Sequence, residues 1–250
     1  AGDSADVVIV NPAGISCDGC GIINVDRLDL VVGDVSLAND QVVGFSTDAS
    51  SGAFTTGGDG IDAMSADLTA VIAGTAFIGG TVNTNDLFIG LGAGNYARNS
   101  DGTTRTATGN ASYAGNALSI TDPAGLFADR IEVVNNAGTG TPTNMLVRGE
   151  IAANNGSVNI ETDGSINLSG RISGTDQVNL LTSDNNNGEA LTQADIQLAN
   201  GSITAGSQMK LEAAAGSLVL NGGQLYAFDD MTLTGLKLID EGSDNPAEFN

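Results

Sequence analysis

Apolar and polar residues alternate along this chain in short runs, each behind a glycine or another turn-forming residue. The pattern is plainest in Gly156–Ile160 (GSVNI), Gly164–Leu168 (GSINL) and Gly216–Leu220 (GSLVL). Between them lie Gln177–Leu180 (QVNL), Gln208–Leu211 (QMKL) and Asp230–Leu233 (DMTL), with the same period of two. That period buries one face of a strand and leaves the other to solvent. Equivalent runs recur at a steady interval: Val158 to Val178 is 20 positions and Met209 to Met231 is 22. A repeat of this length is the signature of a solenoid. Val178 to Met209 is 31 positions, which fits one repeat plus a loop inserted around Ser183–Glu189 (SDNNNGE). Strands this close together leave no room for crossover helices, so the chain must turn corners and pair each strand with its counterpart one coil later, about 4.8 Å along an axis.

Asp6–Val10, Arg27–Val32, Leu68–Ile72, Asp86–Ile89 and Arg130–Val134 read the same way. Gly94–Gly115 does not. It is polar, holds Tyr96, Arg98, Arg105 and Tyr113, and reads as a hairpin or loop projecting from the stack. The expectation is an all-β, right-handed parallel β-helix of roughly nine to eleven coils with one extra-helical hairpin or loop. Neither terminus reads as a capping helix.

Composition narrows the picture. Of 250 residues 35 are Gly, aromatics make up 4% and Trp is absent, yet 41% are apolar, so the core must be built from small and branched aliphatics. So much glycine is incompatible with a helical protein, since each helical glycine costs about 1 kcal/mol. Disorder is disfavoured because the aliphatic alternation continues to the C-terminal end. Thirty acids against eight bases give a net charge of −22. Backbone binding to nucleic acid needs clustered Lys and Arg, so nucleic acid is not expected as a partner. The acidic surface reads first as a solvated exterior, with salt or calcium dependence as the other reading. No apolar run of transmembrane length occurs. The opening at Ala1, polar and leading straight into a strand, suggests a processed or excised segment.

Candidate chemistry is sparse. Parallel β-helices also act on polysaccharides, with clustered acids beside Lys, Arg or His. Here His is absent, and Arg27, Arg98, Arg105, Arg130, Arg148 and Arg171 are scattered along the chain. Asp59 with Asp62, or Asp229 with Asp230, could form a glycosidase pair, but each reads first as a solvated turn. Gly57–Gly60 (GGDG) is one isolated calcium-repeat-like fragment. No catalytic residue, metal site or cofactor is expected.

One segment is more specific. Ala5–Asn24 (ADVVIVNPAGISCDGCGIIN) resembles the haemagglutination-activity domain of two-partner-secretion exoproteins, the filamentous haemagglutinin-like family, whose pattern is close to ADVVIANPNGI-x-C-x-G-C-GFIN. A second block, Asn116–Val134, is similar to a later segment of the same family. The resemblance is specific over about residues 5–150, dividing the chain into a family-like part, 1–150, without the family's N-terminal cap, and continuing repeats, 151–250. Ala13 stands where the pattern has a second Asn, and the upstream Asn-Pro-Asn-Leu motif is missing.

The resemblance implies a secreted protein of the outer surface of a Gram-negative bacterium, exported by an outer-membrane transporter of the Omp85 two-partner type. It implies a structural role as adhesin or filament subunit, meeting a host or neighbouring-cell receptor or glycan, with end-to-end homopolymers as a further expectation. A stalk segment of a contact-dependent inhibition effector is the alternative, and a polysaccharide-active enzyme the third reading. Asn11, Pro12, Gly14, Ile15 and Asn24 form a turn like the family's secretion motif. The same residues also read as an ordinary β-helix corner. Cys17 and Cys20 are the only cysteines; with no adjacent base and no further zinc ligands, they read as a small structural disulfide rather than a redox or metal site.

Overall fold

The computed structural model describes residues 4–100, 102–109, 113, 115–135, 143–183 and 194–240, and the backbone of 248–249. Among the described residues there is no helix, and the chain winds into a parallel β-helix of nine coils with three faces. The first face runs from Ala5–Val10 and Val25–Val31, through the second halves of the bent strands Ile61–Ala73 and Thr81–Leu91, to Arg130–Asn135, Val158–Thr162, Val178–Thr182, Met209–Ala213 and Met231–Gly235. The second face begins with Ile15–Cys17 and Ala53–Thr56 and ends with Leu238–Asp240. The third takes the first halves of the two bent strands, then Gly125–Ala128, Glu150–Ala153, Arg171–Gly174, Ser202–Ala205 and Gln224–Ala227.

The sequence repeat is the structural register. Val158 pairs with Val178, Val178 with Met209 and Met209 with Met231. The 31-residue interval is therefore one coil; its inserted loop, beyond Ser183, lies outside the described residues. Because parallel pairing keeps equivalent positions in line, inward side chains stack as columns. On the third face Ile61, Val82, Leu126, Ile151, Ile172, Ile203 and Leu225 are stacked and buried. Two positions on, toward the sharp corner with the first face, the column shrinks to Ala63, Thr84, Ala128, Ala153, Gly174 and Ala205.

Polar residues enter the core where corners need them. Asn135 donates from Nδ2 to the Thr143 carbonyl at 3.0 Å and to Thr162 Oγ1 at 2.9 Å, and Thr182 Oγ1 donates to the Ala194 carbonyl at 2.5 Å. They occupy equivalent last positions of the first face, so they satisfy backbone groups that the corner exposes.

Among the described residues two hairpins stand outside the coils. Gly94–Asn99 with Gly102–Thr108 fulfils the hairpin expected within Gly94–Gly115. Asp34–Ala38 with Gln41–Thr47 is a second one, turning at Asn39 and Asp40, both with positive φ. Both leave at the corner between the first and second faces, and they join into one antiparallel sheet by pairing Gly94–Ala97 with Gly44–Thr47. This sheet roofs the outer side of the first face in the early coils. Phe45 and Tyr96 pack down onto Val31, Ala70, Ile72 and Phe88 as a second core. Gly90 makes the seating possible: a Cβ there would lie 2.4 Å from the Tyr96 ring. Phe88 and Tyr96 meet edge to face at 6.3 Å, and Arg105 lies 5.5 Å from the Tyr96 ring centre. Burial pushes the Tyr96 hydroxyl pKa up to about 12.

The columns predict a sharp asymmetry between faces. Ile172→Ala removes fully buried methyl groups and is expected to cost about 3 kcal/mol. Asn167→Ala, on the outer side of the second face, is expected to change stability by less than about 0.5 kcal/mol. Guanidinium unfolding of the two variants checks the contrast.

Candidate functional site

The first coil carries the motif residues. Val10 ends the opening strand, and the chain then turns through Asn11–Gly14. Asn11 accepts the Ala13 N–H on its side-chain Oδ1 at 3.1 Å and the Gly14 N–H on its backbone carbonyl at 3.1 Å. Pro12, without a donor of its own, offers its carbonyl to Gly52 N–H in the next coil at 2.8 Å. Gly14 has φ of +132°, a backbone that side-chain-bearing residues rarely adopt. Ile15 then enters the second face, pairs with Phe54 and packs partly against the main core.

Asn24 is not beside this turn. It sits at the corner that starts the second coil, with φ of +59°, and its carbonyl accepts the Ala5 N–H at 3.2 Å. The whole strand Ala5–Val10 separates it from Asn11, about 20 Å at the usual rise. The structure thus brings Asn11, Pro12, Gly14 and Ile15 together and places Asn24 at the far end of the strand. Ile23, beside Asn24, is 84% exposed.

Cys17 and Cys20 are joined in a disulfide across the corner between the second and third faces, with Cα atoms 5.8 Å apart. Asp18, between them, accepts the Asp59 N–H of the next coil at 2.9 Å. Gly57–Gly60 is the matching corner of that coil, where Gly57 N–H donates to the Cys17 carbonyl at 2.9 Å. Asp59 is therefore a corner residue, and Asp62 accepts the Met64 N–H at 3.3 Å. Asp229 and Asp230 are exposed at a late corner. Among the described residues no group of three acids or cysteines is placed to hold a metal.

The arginines that look scattered in sequence are partly gathered in space. Asp29, with no exposed surface, accepts Arg27 Nε at 3.1 Å and Arg98 Nε at 2.7 Å. Arg98 also reaches Asp6 at 2.9 Å. Arg27 continues to the Asn99 carbonyl and to Thr103 Oγ1, the latter at 2.7 Å. Burial opposes the charge of Arg98, but hydrogen bonds to Asp29 and Asp6 outweigh it and raise its pKa. The cluster bolts the roof to the first two coils.

This geometry, an early disulfide-tied coil under a hairpin roof, coincides with a family match. Residues 1–168 match the model described as the TPS secretion domain. The chain belongs to that family. A Toxin CdiA of Yersinia pestis is 34% identical over 183 residues, 73% of this chain and 5% of that protein. A 16S rRNA endonuclease CdiA of Enterobacter cloacae is 29% identical over 248 residues, 96% of this chain and 7% of that protein. The chain thus spans only a small part of these curated relatives. The crystal structure of a filamentous hemagglutinin secretion domain aligns with 97% of this chain and 66% of its own, with a TM-score of 0.51 and 17% identity, which establishes a shared fold.

Two outcomes test how the TPS domain is held together. Reducing Cys17–Cys20 is expected to loosen the first coil by about 2 kcal/mol in the chain-entropy account, seen as faster amide exchange at Ala5–Gly21 and unchanged exchange beyond Arg130. Arg98→Ala leaves buried Asp29 short of a partner and is expected to cost about 3 kcal/mol. Arg130→Ala, whose pair with Asp86 at 2.7 Å is solvent-exposed, is expected to cost under about 1 kcal/mol by the same unfolding measurement.

Proposed function

We propose that this chain is the export-directing part of a two-partner-secretion exoprotein, passed across the outer membrane of a Gram-negative bacterium by an Omp85-type transporter and displayed outside the cell as a β-helical rod. The observation that carries this reading is the match of residues 1–168 to the TPS secretion domain. At the surface the rod acts structurally, as an adhesin or filament segment whose outer faces and roof meet a receptor or glycan. Leu236 and Leu238 are 69% and 58% exposed on the last coils. A second molecule stacked end to end in a fibre would cover them.

The names of the Yersinia pestis and Enterobacter cloacae relatives favour a second reading, a stalk segment of a contact-dependent inhibition effector. A long reading frame ending in a variable toxin would decide for it, and a short one for an adhesin or fibre subunit.

Co-expression of the exoprotein with an Omp85-type transporter, with secreted protein quantified in the medium, tests the route. Export is expected to require the transporter, and equal export without it overturns the proposal. Asn11→Ala, which deletes the acceptor for Ala13 N–H, is expected to cut export about tenfold while the purified variant keeps its unfolding midpoint. If export and midpoint fall together, the turn serves packing alone.

A further inference from the structure

The roof stops short. Its strand order places Gly102–Thr108 at one edge, and among the described residues nothing pairs with the outer side of that strand. Beyond it the outer side of the first face continues over Arg130–Asn135, Val158–Thr162 and Val178–Thr182, with no strand laid across it among the described residues. Between edge and floor lies an open groove of about 520 Å³, lined by Thr104, Arg105, Thr106, Ala107, Glu132, Val134 and Glu161. It runs on across Asn159, Asn179 and Leu181 of the next coils.

The shape and chemistry of this groove define an occupant. One wall is a strand edge along whose outer side no strand pairs among the described residues, and such an edge is complementary to another strand. The floor alternates in kind: Val134 and Leu181 are half-buried apolar, while Glu132 and Glu161 are acidic. Arg105, in the edge strand, is turned beneath the roof and donates to the Leu91 carbonyl at 3.0 Å. Arg130 is engaged by Asp86 at 2.7 Å. Burial raises the Glu132 pKa, Arg130 offsets this in part, and Glu161 adds to the rise. A cation placed in the groove would relieve that repulsion. A second copy meeting this one edge to edge is a poor match, because the exposed residues of its own edge, Thr104, Thr106 and Ala107, bring no basic group to Glu132 and Glu161.

We propose that the shelf between Gly102–Thr108 and the outer face of the fifth to seventh coils is a docking site for one extended strand of a second protein, added to the roof edge and carrying basic residues at alternate positions over Glu132 and Glu161.

The probe is a fluorescein-labelled peptide, Thr-Lys-Thr-Lys-Thr-Lys-Thr-Lys, titrated by anisotropy at physiological salt. A Pro-Lys counterpart of equal length and charge has no proline N–H to give to the edge. The Thr-Lys peptide is expected to saturate at one per chain and bind about tenfold or more tighter than the Pro-Lys peptide. Glu132→Gln with Glu161→Gln, both at solvent-reachable positions, is expected to weaken it by a similar factor. Amide exchange at Thr103–Thr108 is expected to slow on saturation. Equal binding of the two peptides, or undiminished binding to the double variant, would reduce the effect to attraction by net charge and overturn the site. Protection of the same amides by concentrating the protein alone, with a dimer in sedimentation, would assign the edge to a second copy and overturn it equally.

Discussion

Everything in this molecule is subordinate to in-line stacking between successive coils. Parallel pairing at a fixed spacing of about 4.8 Å makes each inward position answer to the residue one coil before and one coil after. Ile151 sits between Leu126 and Ile172 on the third face, and its methyl groups have no freedom to grow or shrink independently of theirs. The same spacing rules the corners. A Cβ on Gly170 would stand 1.9 Å from the Gly149 carbonyl, so the corner keeps glycine where the backbones of neighbouring coils approach most closely. Length variation is tolerated where it does not disturb the columns, and the two described hairpins both leave at the corner between the first and second faces.

The roof changes the energetic character of the early coils. A plain solenoid is stabilised by nearest-neighbour terms, each coil touching only the next. Arg98 belongs to the insertion within the fourth coil, yet it bonds Asp29 in the second coil and Asp6 in the first. Phe45, from the insertion within the second coil, shares a core with Phe88 in the fourth. These contacts add terms between distant coils, so the early coils are coupled as a block, whereas the coils from Val158 onward rest on their immediate neighbours.

What is legible in the sequence follows from what is local. Alternation within a run and the interval between runs are both visible in one dimension, so Val158, Val178, Met209 and Met231 align by their spacing alone, and the strand pairing keeps that alignment. The hairpin at Asp34–Thr47 escapes a reading by alternation although its signal is present: Asn39 and Asp40 are adjacent residues that tolerate positive φ, the mark of a two-residue hairpin turn. The Arg27–Asp29–Arg98–Asp6 cluster has no such signal. Arg98 and Asp6 are separated by 92 positions, and the fold brings them together only because an antiparallel sheet lies back across parallel coils. Cys17 and Cys20 are readable as a pair from their isolation.

The motif around Asn11 shows how far linear proximity can mislead in a coiled ribbon. Asn11 and Asn24 belong to one continuous sequence pattern, but the 12 residues between them carry the chain around most of a coil. They end up at opposite ends of Ala5–Val10, held by different neighbours: Asn11 closes a turn on itself, while Asn24 holds the start of the opening strand through Ala5. A ligand recognising both in the folded coil would have to extend along that strand. Recognition of the extended chain would meet them in sequence order instead, with the Cys17–Cys20 loop between them. The disulfide closes a loop of only three positions, so it leaves the rest of the ribbon free to be read in either form.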